Sequence, residues 1–250
     1  MRKSIAVLIA TLLAVTLSVT QLMAAVIPPI GLAPGSQYEL VFVTDATRNA
    51  TSPNIADYNA FVTAQATLSP LLPLATWHAI ASSQTVNARD NAPRILGIPI
   101  YDTQGLLFRL PSADIYTSPP NLESPKGPGP RLNQYGEVIP PDDPYNSDVY
   151  VWTGSNYSGT KFTTLPPFNE DNSLGSTVPA YGYDDLRSIV SVAGVEEWLG
   201  LPHIDLQTEL HHLYALSAPI AVPVPEPSTL VLAAFGFAGL AVWGWRRLRA

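Results

Sequence analysis

The chain closes on PVPEPSTLVLAAFGFAGLAVWGWRRLRA, residues 223–250, and no other stretch restricts its fold so severely. An uncharged run of 16 residues, Leu230–Trp245, is followed at once by Arg246, Arg247 and Arg249. As a helix the run spans about 24 Å. That is short of the ~20 residues usual for a bilayer crossing, but adequate with tilt, local thinning or snorkelling. Trp243 and Trp245 stand where an interfacial aromatic belt would, and the arginines beyond them hold that end in the cytoplasm. A buried core helix is the other reading, yet a polar-free helix ending in an arginine cluster has nothing after it to pack under. The sequence therefore predicts a transmembrane helix over 230–245, behind a spacer whose prolines resist helix and stay extended.

The other end of the chain agrees. Arg2 and Lys3 precede an apolar run, Ile5–Val19, and Ala24-Ala25 supplies small residues for a cut. This is the pattern of a secretory signal peptide over residues 1–25, with a retained anchor as the alternative. Residues 26–222 then form an extracytoplasmic body of one domain's length.

The order of features at the C-terminus, Pro225-Glu226-Pro227, a short apolar helix and a terminal arginine cluster, resembles the PEP-CTERM sorting signal of exopolysaccharide-producing Gram-negative bacteria. The resemblance covers residues 224–250. It implies export, a stay in the inner membrane with the body periplasmic, recognition by an exosortase, and delivery to the cell surface or the medium. It leaves open whether the helix is cleaved or retained, and it is silent on the activity of the body.

Eight of the 13 basic residues and 19 of the 20 acids lie within 26–222, so that stretch carries a net charge of about −11. Nucleic acid is excluded as a partner, because phosphate binding requires a basic face. There are no cysteines. An exported body of this length must then be held by its core alone, without disulfides, thiol nucleophiles or zinc–thiolate sites.

Along the body, Tyr38–Thr44 is apolar on both faces and predicts a central strand. Asn54 caps a helix with Ile55, Tyr58, Phe61, Val62 and Ala66 on one face. Trp77–Ala81 alternates like a strand, and Val86–Asp90 reads as a short helix or tight turn. Ile98–Tyr101 and Leu106–Phe108 form a hairpin around Asp102, Gln104 and Gly105. The proline-rich stretch 111–144 is too long for a simple connection and predicts an ordered surface excursion or a functional loop. Val149–Trp152 is a buried strand turned by Gly154, Asn156 and Gly159. Residues 160–185 read as irregular, Tyr181 and Tyr183 packing; short helical stretches follow through Val190 and over Val195–Leu199, and Leu213–Leu216 is the last strand.

These pieces carry a second resemblance. Trp77-His-Ala-Ile-Ala-Ser-Ser, Ala88-Arg89-Asp90, Ile98-Pro99-Ile100, Leu106-Leu107-Phe108, Val151-Trp152-Thr153-Gly154-Ser155 with Gly159, and His211-His212-Leu213-Tyr214 are similar in order and spacing to the endostatin domain of collagens. The match runs from about Tyr38 to Ser217 and implies a C-type-lectin-like fold. That fold is α+β, of short antiparallel strands with two or more helices and long loops. The disulfides usual in it are missing. So are the N-terminal histidines that bind zinc in endostatin, and zinc binding is not implied.

Chemistry is thinly signalled. Of the histidines, His211 and His212 are adjacent and on a strand face opposite ways, so they cannot share a site. Gly154-Ser155 lacks the Gly-x-Ser-x-Gly elbow, and no catalytic residues or cofactor are expected. Two acidic clusters have the hard oxygens that calcium takes: Asp142, Asp143, Asn146 and Asp148, and Asn169, Glu170, Asp171 and Asn172. Neither has EF-hand spacing, and solvated surface is the plainer reading. The leading expectation is a noncatalytic surface or matrix protein that adheres to, or associates with, exopolysaccharide or surface glycans. A calcium-dependent carbohydrate binder and a secreted hydrolase are the alternatives. Trp152, on a strand apolar on both sides, is expected to be a core anchor.

Overall fold

The computed structural model describes residues 29, 31–116, 130–141, 149–156, 158–163, 170–183, 203–224 and 245. The expected signal peptide lies outside them, as do the helical stretches after Tyr183. The expected transmembrane segment is outside too, apart from Trp245. Among the described residues no helix is long and apolar enough to cross a membrane.

The architecture is sheet-rich with few helices, loosely α+β. Strand β1 (Gln37–Val43) is buried at six of its seven positions. Its alternation feeds two cores at once. Tyr38, Leu40 and Phe42 join Tyr58, Val62, Trp77, Trp152, Leu213 and Ala215 on one face. Val41 and Val43 join Ile80, Ile100, Ile115, Val151, Tyr214 and Leu216 on the other. A strand covered on both faces belongs in the middle of a sheet, and β1 is there. It lies between β3 (Ile100–Tyr101), which it pairs in parallel, and β8 (His212–Ser217), which it pairs antiparallel with Phe42 opposite Ala215. Strand β9 (Ile220–Ala221) continues that pairing onto Gln37 and Tyr38.

The rest follows from these two strands. Helix α1 (Ile55–Leu68) is capped by Asn54, whose side-chain oxygen accepts from the Ala56 N–H, and it buries Tyr58, Val62, Gln65 and Ala66. Gln65 is polar on a core face because its Oε1 accepts from the Ala46 N–H and from Gln134 Nε2. Strand β2 (Trp77–Ala79) pairs with β8, and the Trp77 ring meets Phe42 edge-on at 5.0 Å. Helix α2 (Ala88–Asn91) is a single turn. The hairpin of β3 and β4 (Leu107–Arg109) turns on Gly105, at φ +79°, and on Asp102, whose Oδ1 accepts from the Gln104 and Leu106 N–H groups. Strand β5 (Tyr150–Trp152) lies parallel to β8 and antiparallel to β6 (Ala180–Tyr183), which pairs with β7 (His203–Ile204).

Two expectations are corrected. The end of the irregular stretch 160–185 is the strand β6, recruited by pairing with β5; AYGY has no strand signal strong enough to show this locally. The described part of the proline-rich stretch, 130–141, is not a surface excursion throughout. Asn133, Gln134 and Ile139 are buried, the Leu132 carbonyl accepts from the Val43 N–H, and Gln134 Oε1 accepts from the Asp45 N–H. The segment satisfies backbone groups at the end of β1.

Glu39 points from β1 into the interior, where Arg94 Nη1 donates to its Oε2 at 2.8 Å with both side chains buried. Arg94 also donates to the carbonyls of Ile95, Leu110, Pro111 and Ala113. Burial outweighs the pull of Arg94 and raises the Glu39 carboxyl to about 7. The folded chain therefore holds a proton that the unfolded chain releases near its ordinary carboxylate value. The resulting stability is complete below about pH 4.5 and is lost as pH rises through about 7. Urea titrations across that window should show wild-type stability falling with pH and a flatter profile for Glu39→Gln. Parallel profiles would contradict the assignment.

Candidate functional site

The strongest gathering of chemically capable side chains sits where β5, β6 and the approach to β8 meet. Trp152 is fully buried, and its Nε1–H donates to the Arg48 carbonyl at 3.0 Å. Arg48 pairs with His211 across an antiparallel bridge, so the same carbonyl also accepts from the His211 N–H at 3.1 Å. These two hydrogen bonds to one carbonyl bring the His211 ring onto Trp152, with centroids 4.3 Å apart and planes tilted by 45°. Tyr181 and Tyr150 close round the same imidazole at 5.0 and 5.7 Å, and touch each other edge-on at 5.2 Å. Both tyrosines are half-buried.

Asp205 reaches this cluster from the segment after β7. Its Oδ2 lies 3.3 Å from His211 Nε2, with the carboxylate side chain 39% exposed and the imidazole 8% exposed. A carboxylate at the rim of an aromatic patch, braced by a histidine beneath, offers hydrogen-bond acceptors beside apolar ring surface. Aromatic rings give flat apolar area, and a charged acceptor makes the stronger class of hydrogen bond to a hydroxyl.

His212 faces away from His211, as strand alternation requires. Its Nδ1 donates to the Thr44 carbonyl at 2.6 Å, so Nδ1 carries the proton, and the side chain is a buried structural link between β1 and β8. His78 is half-buried in β2, and burial lowers its pKa, favouring the neutral imidazole. His203 lies in β7. Asp142, Asp143, Asn146 and Asp148 lie outside the described residues, as do Asn169 and the sorting-signal residues Pro225, Glu226, Pro227, Arg246, Arg247 and Arg249.

Of the second acidic cluster, Glu170 is exposed. Asp171 faces Lys161 at 3.6 Å and accepts from the Ser173 N–H. Asn172 is buried and donates to the Val178 carbonyl. Among the described residues no group of three or more His, Asp and Glu side chains is gathered to hold a metal ion.

Trp152 is the anchor its strand pattern suggested, but its link with Tyr150, Tyr181, His211 and Asp205 was not legible beforehand. The residues come from three separated parts of the chain, and only the β5–β6 and Arg48–His211 pairings bring them together.

Two residues past Trp152, Gly154 marks a close approach of chain segments. Its φ is +56°, and a Cβ there would strike the Ser82 carbonyl and come within 2.7 Å of the Leu174 nitrogen. Only glycine lets three chain segments meet at that point.

The PEP-CTERM protein-sorting motif matches residues 223–248. No curated protein matches the chain. The match makes the chain an exported protein with an exosortase-directed sorting signal at residues 223–248.

Replacing Trp152 by alanine should cost about 3–5 kcal/mol of stability, a large part of what a domain possesses. Trp152→Phe should recover most of the packing and lose mainly the bond to the Arg48 carbonyl, about 1 kcal/mol. Chemical denaturation of the three proteins would show this order. An alanine variant as stable as wild type would mean that the ring belongs to a surface site.

Proposed function

We propose that this chain is a noncatalytic exported protein of the cell surface or extracellular matrix, whose body associates with exopolysaccharide. The observation that carries the delivery half is the sorting motif at residues 223–248. Its layout suits temporary retention: a proline-rich spacer that stays extended and accessible, then an apolar segment only just long enough to hold the chain in a bilayer. An exosortase and the inner membrane are then transient partners.

The body is read as lectin-like, of the endostatin type. Short, mostly antiparallel strands, two helices and long connections among the described residues support that reading. The glycan-binding half of the proposal rests on Tyr150, Tyr181 and Asp205. The tyrosine rings supply flat apolar surface for a sugar face, and the Asp205 carboxylate accepts from sugar hydroxyls. His211, largely covered by Trp152 and Tyr181, braces this patch from below, which suits binding better than proton transfer.

Two measurements test the two halves. Intact mass of surface-released protein from the native host should correspond to a chain ending near Pro225 and lacking Leu230–Ala250, while a host without exosortase keeps the full tail in its membrane fraction. A released form that retains Trp243–Ala250 would mark the segment as a permanent anchor. For the patch, Asp205→Asn should weaken binding of the purified protein to the host's exopolysaccharide about 10- to 100-fold, the worth of one hydrogen bond to a charged group. Unchanged binding would exclude the patch. Loss of binding on adding a chelator would bring calcium into the site.

A further inference from the structure

The ends of the central sheet differ in kind. Strand β1 runs from Gln37 to Val43, and its pairings fix which segments share each end. At its starting end lie the loop between α1 and β2, the turn before β3, the residues leaving β4, and the segment after β9. The loop between α1 and β2 belongs there because Trp77 pairs with Ser217 and the Ala218 N–H bonds the Thr76 carbonyl. The turn before β3 and the exit of β4 belong there because the Glu39 N–H bonds the Pro99 carbonyl and the Gly97 N–H bonds the Pro111 carbonyl. The tail leaves from the same end, since the Gly35 N–H bonds the Val222 carbonyl and Val224 lies beside Gly35.

These segments are 31–36, 69–76, 95–99, 110–113 and 218–224; none contains an Asp, Glu, Lys, Arg or His, and the Arg94–Glu39 pair at their border is buried. In a body with a net charge of about −11 that absence is systematic. The same end exposes large apolar side chains: Leu71, Leu74, Ile95, Leu96, Leu110 and Val224, with Leu74 97% exposed. The opposite end carries charges of both signs: Asp45 and Arg48 after β1, Asp102 after β3, and Arg131 and Glu137 in the segment that Asn133 ties to Asp45. Large apolar side chains are exposed elsewhere too, at Leu106, Leu107, Val138, Leu206 and Leu210, but there charged residues stand beside them: Asp102, Arg109, Glu137, Asp205 and Glu209.

The tether decides what covers the uncharged end. Five residues, 225–229, separate Val224 from the apolar run that begins at Leu230. Fully extended, the six steps from Val224 to Leu230 reach about 20 Å. While that run is in the bilayer, the end of the sheet from which it hangs is held at the headgroup layer. The β4 exit stands two strands from β1, about 10 Å to the side, within the same footprint. An apolar, charge-free surface loses nothing by contact with an anionic leaflet, and its leucines gain by entering the interface, whereas the charged end would have to shed the water around its ions to do the same.

We propose that this uncharged end is a lipid-facing base, on which the body rests against the outer face of the inner membrane while the sorting tail is still inserted. The proposal rests on reading Leu230–Trp245 as the membrane-inserted part of the tail. The base holds the body in one orientation, with the charged end pointing away from the bilayer.

Because the chain has no cysteine, the test is direct. Full-length protein carrying Leu74→Cys, Leu96→Cys or Glu137→Cys, one at a time, is labelled with a polarity-sensitive fluorophore. It is then reconstituted in vesicles of phosphatidylethanolamine and phosphatidylglycerol, with and without spin-labelled acyl chains. Labels at 74 and 96 should shift to the blue and be quenched several-fold more strongly than the label at 137. If the protein floats with the vesicles but all three labels behave alike, the base does not touch lipid and the proposal fails while the anchor reading stands. A blue shift at 74 and 96 without lipid quenching would assign the surface to a protein neighbour and overturn the proposal. Failure to float would remove the anchor reading and the base together.

Discussion

Everything in the body depends on one antiparallel pairing, that of β1 with β8. The two strands are about 170 residues apart in sequence, yet Val41, Phe42 and Val43 lie opposite Leu216, Ala215 and Tyr214. Both strands are apolar on both faces, so the ribbon they form cannot stop at two strands or tolerate a solvated side. Each face collects its own core, α1 with Trp77 and Trp152 on one and Ile80, Ile100, Ile115 and Val151 on the other. Without disulfides, this two-sided burial is the main source of cohesion.

The polar groups buried with these strands pin the register that the apolar pattern leaves underdetermined. The Thr44 N–H donates to the Leu213 carbonyl, its Oγ1 accepts from the Leu213 N–H and its carbonyl accepts from His212 Nδ1, which locks the far end of the ribbon. Arg94 gathers four carbonyls and Glu39 at the near end, holding the turn before β3 to the exit of β4. A displaced strand would leave these groups buried and unpaired, at about 1–3 kcal/mol each. Gln65 and Gln134 do the same for the loop entering α1.

The pairing also sets the molecule's polarity. Since β9 extends β8 past the start of β1, the chain leaves the body at one end of the sheet, next to Gly35. The Tyr150–Tyr181–Asp205 patch lies towards the other end, near Arg48 and the start of β8. In the proposed function, the tail that tethers and the patch that binds are thus kept apart by the length of the central strands. On that reading, the body can meet a glycan while its exit end is occupied.

The sequence by itself determined the tail, the absence of disulfides, the acidic balance, and most of the elements in contiguous stretches. β1, α1 with its Asn54 cap, the β3–β4 hairpin, β5 and β8 all carry local signals, because an apolar alternation, a capping side chain or a turn built on Asp102 and Gly105 acts between residues close in the chain. Trp152 was legible as core for the same reason. Tertiary structure alone decided the rest. β6 is a strand only because β5 offers an edge to pair with, β7 because β6 offers one in turn, and Asn133 and Gln134 are buried only because the end of β1 has open backbone groups for them to satisfy. The cluster of Tyr150, Tyr181, Asp205 and His211 joins residues up to 61 positions apart. The uncharged end of the sheet joins five segments whose common feature is invisible until strand direction places them side by side. Local physics is written in neighbouring residues, whereas a site or a surface depends on which distant backbone groups complete one another's hydrogen bonds.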